Sequence, residues 1–300
     1  MNSLGAASAP RDRFEEAARS LQSLRPPHLA APIDPSPLES TGESPVTTHA
    51  DSHHDTPLMD KDTFARALRT TLEEQLTLNH PIFLELFRPE KNRELLKVIS
   101  LEGYQITRFF LEYIENLHFR CPLPVHKRRL LFNMFEEETG RFSKTKNHVE
   151  LMEDFIRAQG ISDQERDAWT PSEATSELIH FRLRNCQSAE TYHVGAAAVM
   201  IASEGQSLET RAGEARHTLL GKTYGLTEQD TLFFSVHQKE DVGHVAEGIQ
   251  LVSELCTTVK MQQEALHSVR HTCKLFWGMY EGAAQKWYAI RDARTAAMAA

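Results

Sequence analysis

The chain has 300 residues, 40% of them hydrophobic, which is enough to bury the core of one large domain or two small ones. Its formal net charge of −9 and the lack of a long basic run argue against a nucleic-acid partner. No apolar stretch approaches the roughly 18 to 20 residues of a membrane span, and the four cysteines lack the spacing of a zinc ribbon, so we expect a cytoplasmic globular protein without a membrane partner.

Residues 1–57 differ in composition from the rest of the chain. They hold eight of the 13 prolines, together with many Ser, Thr and His residues. Such a segment buries too little apolar surface to offset the entropy that ordering would cost. We predict a disordered Pro/Ser-rich tail over 1–57, one folded domain over 58–288 and a flexible C-terminus over 289–300.

Beyond the tail, apolar residues recur at spacings of three and four, and no stretch alternates with period two. Pro, Gly and Asn separate the periodic stretches, as at 121–124 and 224–227. Helices are predicted over 60–78, 91–118, 125–139, 146–159, 172–186, 190–222, 229–257 and 261–285. The predicted fold class is all-α, a bundle of about seven to eight helices.

A histidine motif in the penultimate predicted helix is the clearest candidate for chemistry. Residues 237–244 follow the pattern H-x3-D-x2-H, set by His237, Asp241 and His244. At about 100° per residue, Asp241 lies roughly 40° and His244 roughly 20° from His237, so all three project from one stripe of the helix. Two imidazoles and one carboxylate with open positions suit iron that must bind oxygen. A solvated polar face is the alternative.

An acidic cluster and a histidine form a second candidate. Three glutamates at 136–138 end an apolar helix, and Glu137 lies near its inner side because it follows Met134 by three residues. In one continuous helix Glu137 and His148 would be about 16 Å apart and could not share a metal. A break at Gly140 would let the chain fold back and bring them together. A solvated acidic face is the alternative.

Glu204 is a third candidate because it follows a long run of small and apolar residues at 196–203. A carboxylate on a buried helix face costs several kcal/mol unless it is paired or bound to a cation. The alternative is that the helix turns to solvent here, as Gln206, Glu209 and Arg211 suggest.

The sequence also offers a competing metal site. A ferritin-like di-iron bundle uses two E-x2-H pairs and two lone glutamates. Four such pairs occur, and chance explains most of them because both residue types are frequent: Glu115/His118, Glu177/His180, Glu190/His193 and Glu264/His267.

Taken in order, the candidate residues resemble a known family. The glutamates of 133–140, the histidine of 147–151, the glutamate of 203–206 and the H-x3-D-x2-H motif resemble the heme-oxygenase-like di-metal oxidases and oxygenases. The closer branch contains the chlamydial death-domain-associated protein, and pyrroloquinoline-quinone synthase and thiaminase-type proteins are more distant. The resemblance covers about residues 60–285 and implies a heme-oxygenase-like bundle.

The resemblance also implies a ligand set for two metals. Its six ligands fall on Glu137, His148, Glu204, His237, Asp241 and His244. In the family arrangement Glu204 bridges the metals, one of which is held by Glu137, His148 and His244 and the other by His237 and Asp241. Glu138 is the alternative to Glu137, because the segment before His148 is longer here than in the closer branch. Donors of this type without a thiolate favour iron or manganese, so the implied cofactors are two Fe(II) ions or a manganese–iron pair, with O2 as co-substrate.

The reaction is less defined than the ligand set. Relatives perform N-oxygenation, oxidative C–C cleavage, decarboxylation to olefins or formation of para-aminobenzoate, and the last of these consumes a tyrosine of the enzyme itself. The aligned position here is Phe83, which cannot supply the same carbon skeleton with its oxygen, so this route is disfavoured. Phe83, Tyr104 and Tyr192 are candidate pocket residues, with core packing as the alternative for the two tyrosines, and Met200 is a candidate for the apolar pocket wall.

Three functional hypotheses follow. The first is an O2-dependent, non-heme di-iron oxidase or oxygenase acting on a small amino-acid-derived metabolite in a biosynthetic pathway. The second is a cofactorless enzyme or ligand-binding protein of the same fold, and the third is a ferritin-like protein that handles iron. The expected partner is a small-molecule substrate, with no nucleic acid and no membrane, and a homodimer is the candidate assembly.

Overall fold

The computed structural model describes residues 57–75, 77, 79–88, 90–208, 210–211 and 214–299. Over these residues the architecture is helical apart from one antiparallel hairpin of two-residue strands, in which Thr210 pairs with Ala215. The all-α prediction is confirmed. The tail predicted over 1–57 lies outside the described residues except for Pro57, and it stays a prediction.

The helices follow one another with short connections. In chain order they are α1 (Lys61–Glu73), α2 (Ile82–Leu86), α3 (Arg93–Thr107), α4 (Phe110–Arg120), α5 (Pro124–Thr139), α6 (His148–Ala158), α7 (Asp163–Asp167), α8 (Glu173–Gln187), α9 (Tyr192–Ala197), α10 (Arg216–Tyr224), α11 (Leu232–Leu255) and α12 (Val259–Ala299). Between α9 and α10 lie a π-helical segment (Ala198–Ser203), a 3-10 turn (Gln206–Leu208) and the strands β1 (Thr210–Arg211) and β2 (Glu214–Ala215).

Capping side chains fix the starts of several helices. Asp60, Asn92, Asn147, Ser162 and Ser172 each accept a hydrogen bond from a backbone N–H in the first turn of the helix that follows. These bonds satisfy amide groups that have no partner within the helix. The cap at Asn147 is the one that matters for the site, because it starts α6 at His148.

The helix count of seven to eight is too low for the described residues. The helix expected over 91–118 is interrupted between α3 and α4, where the Thr107 hydroxyl donates to the Gly103 carbonyl, a bond that bends helices. The helix expected over 190–222 is divided into α9, the π segment, the 3-10 turn, the hairpin and α10. Two short helices, α2 and α7, have too few turns to show a period in the sequence.

The last helix is longer than the 261–285 expected from the sequence. It continues to Ala299, and most of its side chains over 289–298 are exposed. The flexible C-terminus over 289–300 stays a prediction, because a helical backbone with exposed side chains does not decide how mobile the segment is. None of the helices in the described ranges has the length and apolar character that crossing a bilayer would require.

Two apolar cores hold the helices together. The larger core draws on α1, α4, the π segment, α11 and α12, and its fully buried members include Phe64, Leu68, Tyr113, Val199 and Val252. The second, which we call the cavity core, draws on α2, α3, α6, α8 and α12, and includes Phe83, Leu101, Phe155, Leu178 and Phe276. Helix α12 packs against α1, α3, α8, α9 and the π segment, so it contributes to both cores.

A buried carboxylate joins α3 to the loop before α8. Glu102 is fully buried and accepts hydrogen bonds from Trp169 Nε1 at 2.9 Å, Ser172 N at 3.0 Å and the Thr175 hydroxyl, and Lys286 Nζ lies 2.8 Å away. Burial by itself would raise the pKa of Glu102, but the bonds from Lys286, Thr175 and Ser172 outweigh it and lower the pKa.

Glu102→Gln is expected to destabilise the protein by about 2–3 kcal/mol at neutral pH, because it removes the charge that these donors surround. The pKa of Glu102 is lower in the folded state than in the unfolded state. The stability that the Glu102 charge contributes is therefore present at pH values above the unfolded-state pKa and is lost as the pH falls through the folded-state pKa. Urea unfolding of both proteins at neutral and acidic pH measures it. The exposed Glu90→Gln is the matched control, and an equal effect of the two changes would contradict the prediction.

Gly140 makes the reversal between α5 and α6. It adopts φ of 57°, in the left-handed region, and its N–H bonds the Glu136 carbonyl at 2.7 Å. A Cβ at this position would lie 2.2 Å from the Lys146 carbonyl oxygen, so the returning chain passes directly over the glycine. Only glycine provides both the positive φ and the space.

Gly140→Ala is therefore expected to lower the stability by more than the backbone strain of an alanine at positive φ would by itself. Gly160 is the matched control, since it has φ of 79° and no atom lies within 4 Å of the place that a Cβ would occupy. Gly160→Ala should lose about 1–2 kcal/mol from backbone strain, and Gly140→Ala about 1–3 kcal/mol more from overlap. Thermal unfolding of both variants measures the two losses of stability, and equal losses would show that the close approach at Gly140 is unimportant.

Candidate metal centre

The reversal at Gly140 brings Glu137 and His148 together, an arrangement that a break at this glycine makes possible. The two residues are buried, and His148 Nδ1 lies 3.0 Å from Glu137 Oε2. Helix α6 starts at His148 because Asn147 caps it, so the imidazole projects from the first turn back toward the end of α5. The alternative of a solvated acidic face does not apply to Glu137, which is 5% exposed.

His237 of α11 completes a first cluster with these two side chains. Its ring centroid lies 4.7 Å from that of His148, and one ligand atom from each of Glu137, His148 and His237 lies within 4.8 Å of the others. His237 Nδ1 donates to the Phe233 carbonyl at 2.7 Å. This hydrogen bond fixes the tautomer and leaves Nε2 as the acceptor, which is how metal-binding histidines are usually held.

A second cluster forms around Glu204. His244 Nδ1 lies 3.4 Å from Glu204 Oε1 and 3.4 Å from Asp241 Oδ1, and ligand atoms of the three residues lie within 4.8 Å of one another. Asn133 Nδ2 donates to Glu204 Oε1 at 3.4 Å. Glu204 and Asp241 are almost completely buried, so Glu204 does not mark a turn of the chain to solvent.

The π-helical segment before Glu204 sets the position of this carboxylate. Ser203 Oγ donates to the Ala198 carbonyl five residues earlier, and π-bulges of this kind often occur at functional sites. The missing side chain of Gly248 allows α11 to approach this segment closely, since a Cβ on Gly248 would lie 2.4 Å from the Met200 carbonyl oxygen. The two elements that carry Glu204, Asp241 and His244 are thereby held in direct contact.

The grouping of the six residues differs from the one that the family resemblance implies. His237 joins Glu137 and His148, whereas His244 joins Glu204 and Asp241. The reason is the geometry of α11: seven residues separate His237 from His244, which is about 10 Å along the axis. The two histidines share one stripe, as predicted, but each reaches a different cluster.

Two acidic residues beside the clusters were not selected from the sequence. Glu136 Oε1 lies 3.6 Å and Glu240 Oε2 4.0 Å from His148 Nε2, and ligand atoms of these three residues form a third group that shares His148 with the first cluster. Glu136 already accepts hydrogen bonds from the backbone N–H groups of Phe142 and Ser143 at 2.6 and 3.0 Å, so it anchors the reversal and positions His148. Its place next to Glu137 was the only signal in the sequence, because the burial of Glu136, which is 3% exposed, is visible only in the structure.

The structure does not bring Glu138, the alternative to Glu137, next to the other candidate ligands. Glu138 is exposed, and its carboxylate accepts a hydrogen bond from Asn147 Nδ2 at 3.2 Å. One position along α5 turns the side chain by about 100°, away from His148 and toward solvent. Glu138 belongs to none of the clusters found in the described residues.

Both clusters combine buried carboxylates in a way that favours bound protons or cations. Burial would lower the pKa of His148, but Glu137 and Glu136 raise it to about 10. Burial would likewise lower the pKa of His244, which Glu204 and Asp241 raise to about 12. The pKa of Asp241 is raised well above its usual value by burial and by the Glu204 charge. Protons on these side chains take the role that a cation would have.

The residues present fit a pair of iron ions. Buried polar atoms without a hydrogen bond include Glu137 Oε1, His148 Nε2, both Asp241 oxygens and His244 Nδ1. Leaving such atoms unsatisfied is costly, and a bound cation would satisfy them together. All donors are carboxylate oxygens or imidazole nitrogens, while the four cysteines are buried elsewhere as free thiols. This donor set suits iron or manganese.

A cavity of about 140 Å³ adjoins the clusters. Glu137, Glu204 and His237 line it together with side chains of the cavity core. The candidate pocket residue Phe83 lines the cavity and packs edge-on against Tyr280 at 4.8 Å between ring centroids.

The other three predicted pocket residues lie elsewhere. The Tyr104 hydroxyl donates to Glu153 at 3.1 Å, and the Tyr192 hydroxyl donates to the Leu117 carbonyl at 3.0 Å. Both rings pack in apolar cores, which was the alternative interpretation. Met200 packs in the larger core against α11 rather than in the wall of this cavity. Helical periodicity indicated that these side chains are buried, but it did not resolve which neighbours surround them.

The competing E-x2-H pairs do not assemble into a site. Within the described ranges, the ligand clusters contain none of the eight residues concerned. His193 instead hydrogen-bonds Glu264 at 2.8 Å, which joins α9 to α12. The interpretation of these pairs as chance occurrences agrees with this arrangement.

Sequence comparisons identify relatives of known function. The chain is 27% identical to the 4-aminobenzoate synthase of Chlamydia muridarum over 193 residues, which cover 64% of this chain and 78% of that one. It is 25% identical to the 4-aminobenzoate synthase of Nitrosomonas europaea over 252 residues, which cover 80% of this chain and 99% of that one.

Structure comparisons show the fold, and a family model shows the family. A TenA homologue from Pseudomonas syringae matches with a TM-score of 0.62 at 15% identity, over 76% of this chain and 97% of that one. A domain of unknown function with a heme-oxygenase-like fold from Shewanella denitrificans matches with a TM-score of 0.60 at 17% identity, over 78% and 96%. The model of the iron-containing redox enzymes matches residues 101–277, more than half of the chain. The protein therefore belongs to the family of iron-containing redox enzymes and has the heme-oxygenase-like fold.

Proposed function

We propose that the protein is an O2-dependent, non-heme di-iron oxidase or oxygenase that acts on a small amino-acid-derived metabolite in a biosynthetic pathway. The observation that carries the proposal is the pair of buried carboxylate–histidine clusters whose members Glu137, Glu204 and His237 also line a cavity. Ligands and substrate space are thus contiguous, which is what a reaction at the metals requires.

The first cluster would hold one iron through Glu137, His148 and His237, and the second would hold the other through Glu204, Asp241 and His244. Ferrous ions bound there would supply electrons for reducing O2 and open coordination positions for binding it. The protein's part is to keep each donor oriented. Phe233 holds the His237 ring through Nδ1, and Asn133 holds Glu204.

Apolar side chains control access of water to the centre. Phe83, Phe155, Phe233, Phe276 and Met279 are among the residues that line the cavity. An apolar wall next to a charged centre strengthens electrostatic interactions within it and limits side reactions with water. The cavity therefore favours a small organic substrate over a hydrated ion.

Phe83 supports an external substrate rather than a side chain of the protein. The relatives in Chlamydia and Nitrosomonas are 4-aminobenzoate synthases, and the resemblance implies that a tyrosine at the position of Phe83 is consumed in that reaction. Phe83 has no phenol oxygen, although its ring touches that of Tyr280. An external substrate would let each chain turn over repeatedly.

The proposal predicts about two irons per chain after anaerobic loading, with each cluster holding one. Asp241→Ala should abolish binding at the second cluster and His237→Ala at the first, because a lost ligand costs more than the 10- to 100-fold that outer-shell changes cost. Iron per chain after gel filtration measures both. Glu264→Ala and His267→Ala are the controls that should keep both irons, and full loading of the two ligand variants would contradict the assignment.

The proposed reaction predicts that a substrate accelerates the consumption of O2 by the di-ferrous protein. Stopped-flow mixing with O2, with and without a panel of amino acids and aromatic acids, tests this. Product formed in excess of the protein, with a reductant present, would establish an external substrate. Slow iron oxidation that no compound accelerates would instead favour iron handling or ligand binding.

Two variants separate external from internal substrates. Tyr280→Phe and Phe83→Tyr are both expected to retain O2 consumption without forming 4-aminobenzoate. Formation of at most one 4-aminobenzoate per wild-type chain, lost in Tyr280→Phe, would show that the protein consumes its own tyrosine.

A further inference from the structure

A buried arginine of α8 borders the cavity and lacks a charged partner. Arg182 is 1% exposed and lines the cavity. Its Nε donates to the Leu178 carbonyl at 3.2 Å and its Nη1 to the Ser203 hydroxyl at 3.3 Å, while Nη2 makes no hydrogen bond. A guanidinium has five N–H donors, so much of its capacity remains unused.

No carboxylate of the described residues forms an ion pair with Arg182. Its neighbours are aromatic: the guanidinium carbon lies 4.5 Å from the ring centroid of Tyr113 and 5.6 Å from that of Phe276. Burial lowers the pKa of Arg182, but arginine keeps its proton in proteins. A buried charge that is not paired is strongly destabilising, and aromatic faces compensate only part of this cost.

A second arginine lines the same cavity. Arg216, at the start of α10, lies 5.9 Å from the ring centroids of Phe83 and of Phe234, and its Nη2 is buried without a hydrogen bond. Two guanidinium groups thus border a space whose other lining is mostly apolar. Such a combination attracts an anion with an apolar body, because the rings bind the body while the N–H groups bind the charge.

The size of the cavity limits the ligand. About 140 Å³ is close to the volume of a protein cavity that takes up one benzene molecule. The cavity has room for a single ring or a short aliphatic chain, and the guanidinium presents two parallel N–H groups. A small carboxylic acid matches both features best. A carboxylate offers two coplanar oxygens to the planar fork, and a neutral amide lacks the charge.

We propose that Arg182, supported by the Ser203 hydroxyl and by Arg216, binds the carboxylate of a small apolar or aromatic acid in this cavity. Taking that acid as the substrate rests on the proposed function, whereas the binding itself does not. Anchoring the carboxylate at Arg182 would direct the rest of the molecule along the cavity toward Glu137, Glu204 and His237. Compounds without a carboxylate would leave a buried guanidinium unpaired, and the site would discriminate against them.

Matched pairs of acid and amide test the proposal. Benzoate against benzamide, and butanoate against butanamide, differ in charge while keeping size and shape. Isothermal titration of the full chain should show that each acid binds about 10- to 100-fold more tightly than its amide, as expected for a hydrogen bond to a charged group. Titrating both the anaerobic iron-loaded protein and the chelator-treated protein separates binding to arginine from binding to iron.

Variants assign the preference to the arginines. Arg182→Met should weaken acid binding about 10- to 100-fold and leave amide binding within about threefold. The acid affinity of Arg182→Lys should lie between those of the wild type and Arg182→Met, because lysine keeps the charge but cannot form two parallel hydrogen bonds. Arg216→Met should also lower the ratio of acid affinity to amide affinity. Arg270→Met is the matched control, since it removes one positive charge at an exposed position of α12 and should change neither affinity.

Equal binding of acids and amides by the wild type would overturn the proposal. So would an acid preference that survives in Arg182→Met, or one present only with iron bound. If circular dichroism shows that Arg182→Met does not fold, Arg182→Lys and Arg216→Met test the proposal instead. An unchanged ratio of acid affinity to amide affinity in both of these variants would refute the proposal. An acid preference in a protein that fails to load iron would leave this inference standing and the proposed function refuted.

Discussion

The structure depends on concentrating carboxylates and imidazoles in one buried volume. Glu137, Glu204 and Asp241 are each at most 5% exposed, and Glu136 adds a fourth acid beside them. Like charges at such depth repel strongly unless cations or protons lie between them. The chain brings them together through two close backbone approaches, at Gly140 and at Gly248, where a side chain would collide with a carbonyl oxygen. The same residues that cost folding energy would form the proposed metal site, so metal binding and folding would be coupled there.

The surroundings of this volume are asymmetric. On the side of α5 and α6, backbone N–H groups hold Glu136, and the acidic neighbours keep the local charge negative. On the side of the cavity, phenylalanine rings border the donors, and the guanidinium groups of Arg182 and Arg216 lie among them. The proposed metal ions at the clusters and the proposed carboxylate in the cavity would therefore have opposite charges and lie next to each other.

Much of the centre could be predicted from local patterns. The stripe of His237, Asp241 and His244 follows from helical periodicity alone, and the meeting of Glu137 with His148 follows from a glycine that interrupts a helix. Periodicity could not reveal the π segment, because its extra residue per turn depends on packing against α11. The division into two clusters and the burial of Arg182 are likewise tertiary properties: each depends on which helices meet, and Arg182 resembles any other helix arginine in the sequence.

The central claim is that the two clusters hold two irons. Anomalous diffraction at the iron edge, from crystals loaded with Fe(II) without oxygen, tests it most directly. The account predicts two peaks, one next to Glu137, His148 and His237 and the other next to Glu204, Asp241 and His244. A single peak, or a metal held between Glu136, His148 and Glu240, would contradict it.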